Sequence, residues 1–113
     1  MDTLKWLEQA TCVKSYEVHD FRQWSDGLYY KVKIVFSDQS ILFAKEYIDS
    51  SERNYSFHWQ TENNALIMRW DNAPHYRNIE TFPHHKHDEN DCITESTTIS
   101  FKDVIKIIQR KIC

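Results

Sequence analysis

Between Leu28 and Phe36 every second residue is apolar, with Leu28, Tyr30, Val32, Ile34 and Phe36 set against Lys31 and Lys33. Period-2 alternation predicts a strand with one buried face. The pair Asp26-Gly27 lies just upstream and signals a hairpin turn, which makes Ser15 to Trp24 the partner strand. After Phe36 the polar group Ser37-Asp38-Gln39-Ser40 turns the chain into a third β-rich run, Ile41 to Ile48, which closes at Asp49-Ser50-Ser51. Tyr55, Phe57 and Trp59 alternate with Ser56, His58 and Gln60, and Glu62-Asn63-Asn64 leads into a fifth run, Ala65 to Trp70.

Connections this short imply antiparallel neighbours. The expected fold class is therefore α+β: a twisted antiparallel meander of about five strands, with an N-terminal helix and a C-terminal amphipathic helix packed on one face. The first helix is read over Thr3 to Ala10, with Leu4, Trp6 and Leu7 as apolar positions and Thr3 as N-cap. In the second, Ser100 and Asp103 form a capping box ahead of Phe101, Val104, Ile105, Ile108 and Ile112 on one helical face. From Asp71 to Asp91 the periodicity vanishes, and Pro74 and Pro83 oppose regular structure, so this stretch is expected as a loop.

Composition narrows the picture. A chain of 113 residues fits one domain, residues 1–113, and a content of 41% hydrophobic and 14% aromatic residues excludes a disordered chain. The net charge of -3 excludes general electrostatic attraction to nucleic acid, so any such binding must be local. Charges interrupt every apolar run near the N-terminus, so neither a leader nor a membrane span is expected, and the expected location is cytoplasmic with no membrane partner. Cys12, Cys92 and Cys113 are odd in number and widely spaced, and read as reduced thiols.

The unpatterned stretch concentrates the reactive side chains. His75, His84, His85 and His87 are four of the six histidines, and they lie beside Arg69, Asp71, Asn72, Tyr76, Arg77 and Lys86. Imidazoles titrate near neutral pH, so a pair of them can serve as general base and general acid on a phosphodiester. RNA supplies its own 2'-hydroxyl nucleophile, and a cation on the phosphate completes the requirement without a metal. On this reading His75 with His85 or His87 is the acid/base pair, Asp71 orients a histidine, and Arg69 and Lys86 bind phosphate. Tyr76 is a residue for stacking on bases. His84 and His85 are adjacent, so in an extended segment they point opposite ways, leaving His85 and His87 on one side. The H-H-x-H pattern matches no known ligand spacing, so no metal ligands and no cofactor are assigned. His19 and His58 sit in strand patterns and are read as structural.

Two motifs carry a resemblance. Arg69-Trp70-Asp71-Asn72-Ala73-Pro74-His75 and Thr81-Phe82-Pro83-His84-His85-Lys86-His87 resemble the signature of the TumE family of small toxin–antitoxin proteins. The layout is similar too, with a strand-rich body before the first motif and a capped helix after the second. The matching positions are Asp71, Asn72, Pro74, His75, Phe82, Pro83, His84, His85, Lys86 and His87, which places Asn72 and His84 with the substrate-binding candidates. Tyr76 and Arg77 depart from the pattern, where family members often carry a second His and a Pro. The resemblance implies a toxin encoded beside a helix-turn-helix antitoxin and acting on RNA, with a homodimer left open. The alternative is a non-enzymatic metal- or protein-binding module or inhibitor that uses the same His-rich loop.

Overall fold

The alternating apolar positions of the central strands find their partner in one amphipathic helix. The computed structural model describes residues 2–113. In it Tyr30, Val32, Ile34, Phe36, Leu42, Ala44, Tyr55, Phe57, Trp59 and Trp70 form a buried sheet face, closed by Phe101, Val104, Ile105 and Ile108 of the C-terminal helix and by Leu4 and Leu7. Seven strands run in chain order across a single antiparallel sheet: β1 (Val13–Trp24), β2 (Gly27–Phe36), β3 (Ile41–Ile48), β4 (Arg53–Gln60), β5 (Leu66–Asp71), β6 (His85–His87) and β7 (Ile93–Glu95). Helix α1 spans Asp2–Lys5 and α2 spans Phe101–Ile112.

The expected meander is present, with two corrections. It has seven strands where about five were expected, because His85–His87 and Ile93–Glu95 add a small hairpin to the edge offered by β5. Three-residue strands are too short to show a period. What makes this hairpin is a turn in which the Asp88 carboxylate accepts from the backbone N–H groups of Asn90 and Cys92. The N-terminal helix is also shorter than expected: α1 gives way to a 3-10 turn over Trp6–Gln9. The Thr3 side chain, expected as its cap, lies outside the described residues.

The α2 capping box is formed as expected, with the Ser100 side chain accepting from Asp103 N–H and Asp103 reaching back to Ser100 N–H. Gly27 stands at a close approach of two backbones: a Cβ there would lie 2.2 Å from the Ile48 carbonyl oxygen. The hairpin loop itself is Ser25-Asp26, and Gly27 pairs with Trp24 as the first residue of β2. The three cysteines are not all free thiols. Cys12 and Cys113 form a disulfide with Cα atoms 6.3 Å apart, and Cys92 is free and exposed. Docking of α2 across the start of β1 brings these residues together, as the bond from Gln109 Nε2 to the Thr11 carbonyl shows.

The molecule measures 39 × 38 × 21 Å. Its thin dimension is that of one sheet plus one helix, so α2 covers one face and leaves the other open. No helix among the described residues is long and apolar enough to cross a membrane.

Ile108 is fully buried between α2 and the sheet, so Ile108→Ala is expected to cost about 2–5 kcal/mol. Ser100→Ala, which removes only the cap, is expected to cost about 1 kcal/mol. Urea denaturation of both variants checks the ordering.

Candidate active site

Strand parity decides which candidate residues meet. Directly opposed residues of antiparallel neighbours share a face, and the register pairs Ser56 with Asp71 and Asp71 with His85, while His58 pairs with Arg69 and Arg69 with His87. Arg69, Asp71, His85 and His87 thus converge on the open face. Residues 72–84 fold back over this end of the sheet, and Tyr76 places its ring edge-on to His85 at 4.7 Å and to His87 at 6.1 Å. The result is a cleft of about 520 Å³ lined by His58, Arg69, Asp71, His75, Tyr76, His85, His87 and Asp91, among others.

Asp71 is the hub. Its Oδ1 accepts from Ala73 N–H at 3.0 Å and lies 2.8 Å from His85 Nε2. Its Oδ2 accepts from Arg69 Nε at 3.0 Å and lies 3.6 Å from His87 Nε2. His85 is 1% exposed, and its Nδ1 lies 3.0 Å from the Pro83 carbonyl oxygen. Both ring nitrogens of His85 thus face an acceptor, the Asp71 carboxylate at Nε2 and the Pro83 carbonyl at Nδ1. In this arrangement it is a positioning group, and it could ligate a metal only by giving up one of these two contacts. His87 differs. Its Nδ1 lies 2.8 Å from Asp91 Oδ1, and at 3.6 Å its Nε2 is beyond hydrogen-bonding distance of Asp71. With Nδ1 held by Asp91, Nε2 stands beside the Asp71 carboxylate in the cleft lining without a hydrogen bond of its own among the described residues.

The remaining candidates divide between the two faces. His75 is exposed on the cleft rim with its ring edge-on to Tyr76. Lys86 lies opposite Trp70 in the register, so it shares the helix-side face and does not line the cleft. His84 is on that side too: its ring stacks on Tyr55, and its Nδ1 lies 2.7 Å from the Tyr55 hydroxyl. Burial, then the Arg53 and His85 charges, holds His84 below its ordinary value, while burial above all pushes the Tyr55 hydroxyl up to about 12. The neutral His84 ring therefore accepts from Tyr55. Asn72 commits its amide to β4, accepting from Tyr55 N–H and donating to the Arg53 carbonyl. Lys86, His84 and Asn72, expected to bind substrate, are thus directed elsewhere by strand parity and by backbone bonding.

Two contributors escaped the sequence reading. His58 lines the cleft because β4 pairs it with Arg69, and only the register shows that. Its imidazole is held below its ordinary value by burial and then by the Arg69 charge. Asp91 reaches His87 because the Asp88–Cys92 turn folds it back, and the i, i+4 spacing of the two residues is the one local signal. One atom each from Asp71, His85 and His87 lies within 4.8 Å of the others, a spacing that suits a metal ion. The Arg69 guanidinium on Oδ2 competes with such a cation for the same carboxylate.

The fold and the cleft define a small antiparallel-sheet protein with a carboxylate–imidazole–guanidinium site at one end of its open face. The model of the family described as Toxin TumE matches residues 3–112, and the chain belongs to that family. Membership makes it a toxin of a toxin–antitoxin system, with an antitoxin as its partner. No curated protein and no solved structure matches it.

Asp71 pairs with the Arg69 guanidinium and holds the buried His85 ring and the Ala73 N–H, so Asp71→Ala is expected to destabilise the fold by about 3–5 kcal/mol in urea denaturation. His84 adds a pH dependence. Because its folded-state value is lowered from 6.5, the unfolded chain binds the proton more readily, and the stability this group contributes is complete above 6.5 and falls as the pH drops through the lowered value. His84→Gln, which keeps an acceptor for Tyr55, is expected to flatten the decline in denaturation midpoint as the pH falls below 6.5.

Proposed function

We propose that this toxin is a metal-independent ribonuclease working in the cleft around Asp71. The observation that carries the reading is His87, a cleft-lining imidazole whose Nδ1 is fixed by Asp91 while its Nε2, 3.6 Å from Asp71 Oδ2, makes no hydrogen bond among the described residues. In the proposed reaction His87 Nε2 takes the proton of an RNA 2'-hydroxyl, whose oxygen attacks the adjacent phosphorus. The bond to the 5'-oxygen breaks as a protonated His75 donates to that oxygen, leaving a 2',3'-cyclic phosphate and a 5'-hydroxyl. Arg69 is held at Nε by Asp71, and its two terminal amino groups are left to bind the phosphoryl oxygens as charge builds on them. Asp71 and His85 hold this geometry rigid, and Tyr76 closes the cleft over them.

The same reading places the protein in the cytoplasm with cellular RNA, and its partner is a helix-turn-helix antitoxin. The Cys12–Cys113 bond joins the residue before β1 to the residue after α2, and neither cysteine lines the cleft, so its reduction there leaves the site in place. The metal spacing of Asp71, His85 and His87 favours a second reading, in which a divalent ion held by these three groups supplies the Lewis acid or simply makes the cleft a binding module.

Production of the protein in growing cells without its antitoxin, followed by mapping of RNA ends, tests the reading. Discrete new 3' ends bearing cyclic phosphates are expected, and intact RNA would exclude a ribonuclease. His87→Ala is expected to lower cleavage by about 100-fold to 10,000-fold, the range lost with a general base. Activity that disappears with a chelator and returns with one divalent ion would favour the metal reading.

A further inference from the structure

The open face of the sheet carries more than the cleft. The register of β2 to β6 sets Lys33, Phe43, His58, Arg69 and His87 side by side in one row across five strands, and Lys31, Lys45, Ser56, Asp71 and His85 in the next. In a protein with a net charge of -3, Lys31, Lys33 and Lys45 thus cluster on one face, and none forms an ion pair among the described residues. On β1 the register sets Glu17 opposite Lys33 and Asp20 opposite Lys31, and these two carboxylates bond along their own strand, Glu17 to His19 and Asp20 to Arg22. Phe43 stands amid these cations 36% exposed and takes no part in the core. A shallow groove of about 400 Å³ runs past Lys31, Phe43, Lys45 and His58 to Arg69, and it shares His58 and Arg69 with the cleft.

We infer that this face is a track for single-stranded RNA, delivering the strand from β2 and β3 to His87. The inference rests on the reading of the cleft as RNA-cleaving and adds where the rest of the strand lies. Neighbouring strands are about 4.8 Å apart, so the row from Lys33 to His87 spans about 19 Å, long enough for a few nucleotides beyond the scissile bond. Flexible lysines bind a phosphate backbone as point charges without fixing its sequence. Phe43 offers a ring face on which a base stacks, as aromatic residues on open sheets do in single-strand recognition. A protein partner fits this face less well, since protein interfaces are depleted of lysine and need an apolar centre that one phenylalanine does not supply. His58, held below its ordinary value by its surroundings, meets a base edge as a neutral ring.

The test uses the full chain and a labelled single-stranded RNA of about twelve nucleotides. Its 2'-hydroxyls are O-methylated, so that binding is measured without cleavage. Replacing Lys31, Lys33 and Lys45 together by Gln is expected to weaken binding at least about tenfold, and to lower the slope of log affinity against log salt by about 2, at about 0.7 per phosphate contact. Phe43→Ala is expected to weaken binding about tenfold with the salt slope unchanged. Cleavage of a dinucleotide, which occupies the cleft alone, is expected to proceed at the wild-type rate in both variants. Thermal unfolding of each variant confirms that it folds.

Full affinity in the triple variant would overturn the track, as would wild-type binding of the twelve-mer no tighter than of a dinucleotide. Loss of antitoxin binding with RNA binding intact would make the face a protein interface and equally end the proposal. Tight, salt-dependent RNA binding by a wild-type protein that cleaves nothing would sink the ribonuclease reading and leave the track standing.

Discussion

Asp71 sits at the last residue of β5, where the sheet could simply end, and its carboxylate holds three groups and borders a fourth. It accepts from the backbone at Ala73, from the Arg69 side chain on its own strand and from the buried His85 of the next strand, and it lies beside His87. A buried carboxylate is costly unless every lone pair is used, and the chain here has no cheaper way to use them than to bring β6 alongside β5. The short strand His85–His87 therefore owes its place to polar bonding, whereas β2 to β4 owe theirs to apolar burial. The 72–84 segment, which has no regular structure of its own, is fixed at one end by Asn72 on the β4 backbone and at the other by His85.

The two faces of the sheet then divide the labour. On the helix side a column of rings runs from Phe101 through Phe57 and Tyr55 to His84, with centroid separations of 5.8, 5.3 and 5.8 Å. This column carries the apolar core to the underside of the site. Glu46 receives the Tyr30 hydroxyl and the Arg53 guanidinium on the same side, and Arg53 also bonds the Ile99 carbonyl that leads into α2. On the other side the same strands present lysines, His58 and the Asp71 network to solvent. Motion of β4 relative to β5 would disturb both faces together, so stability and the geometry of the cleft are coupled through the strand pair Ser56–Asp71 and its neighbours.

How much of this was legible varies with the kind of signal. The alternation from Leu28 to Phe36 and from Tyr55 to Trp59 gave strands and their buried faces correctly, because burial of one face is written directly into the residue order. The Ser100–Asp103 box gave the start of α2 for the same local reason. The stretch from Asp71 to Asp91 reads as a loop from residue order alone because its strand, β6, is three residues long and rests on long-range pairing with β5 and on the Asp88 turn that follows it. The disulfide was missed because Cys12 and Cys113 stand 101 residues apart and meet only once α2 has docked.

The residue order by itself determined which side chains are reactive, that His85 and His87 share a side, and that His84 and Lys86 do not, since alternation along an extended segment is a local property. It also carried the resemblance to the family that the match over residues 3–112 bears out. Tertiary structure decided the rest: which histidine is spent on holding Asp71 and which keeps a ring nitrogen without a hydrogen bond, and that Asn72 serves the backbone. The physical reason is that hydrogen-bond capacity is assigned between strands. Each imidazole nitrogen is occupied or free according to what the register sets opposite it, and the register belongs to the folded sheet as a whole.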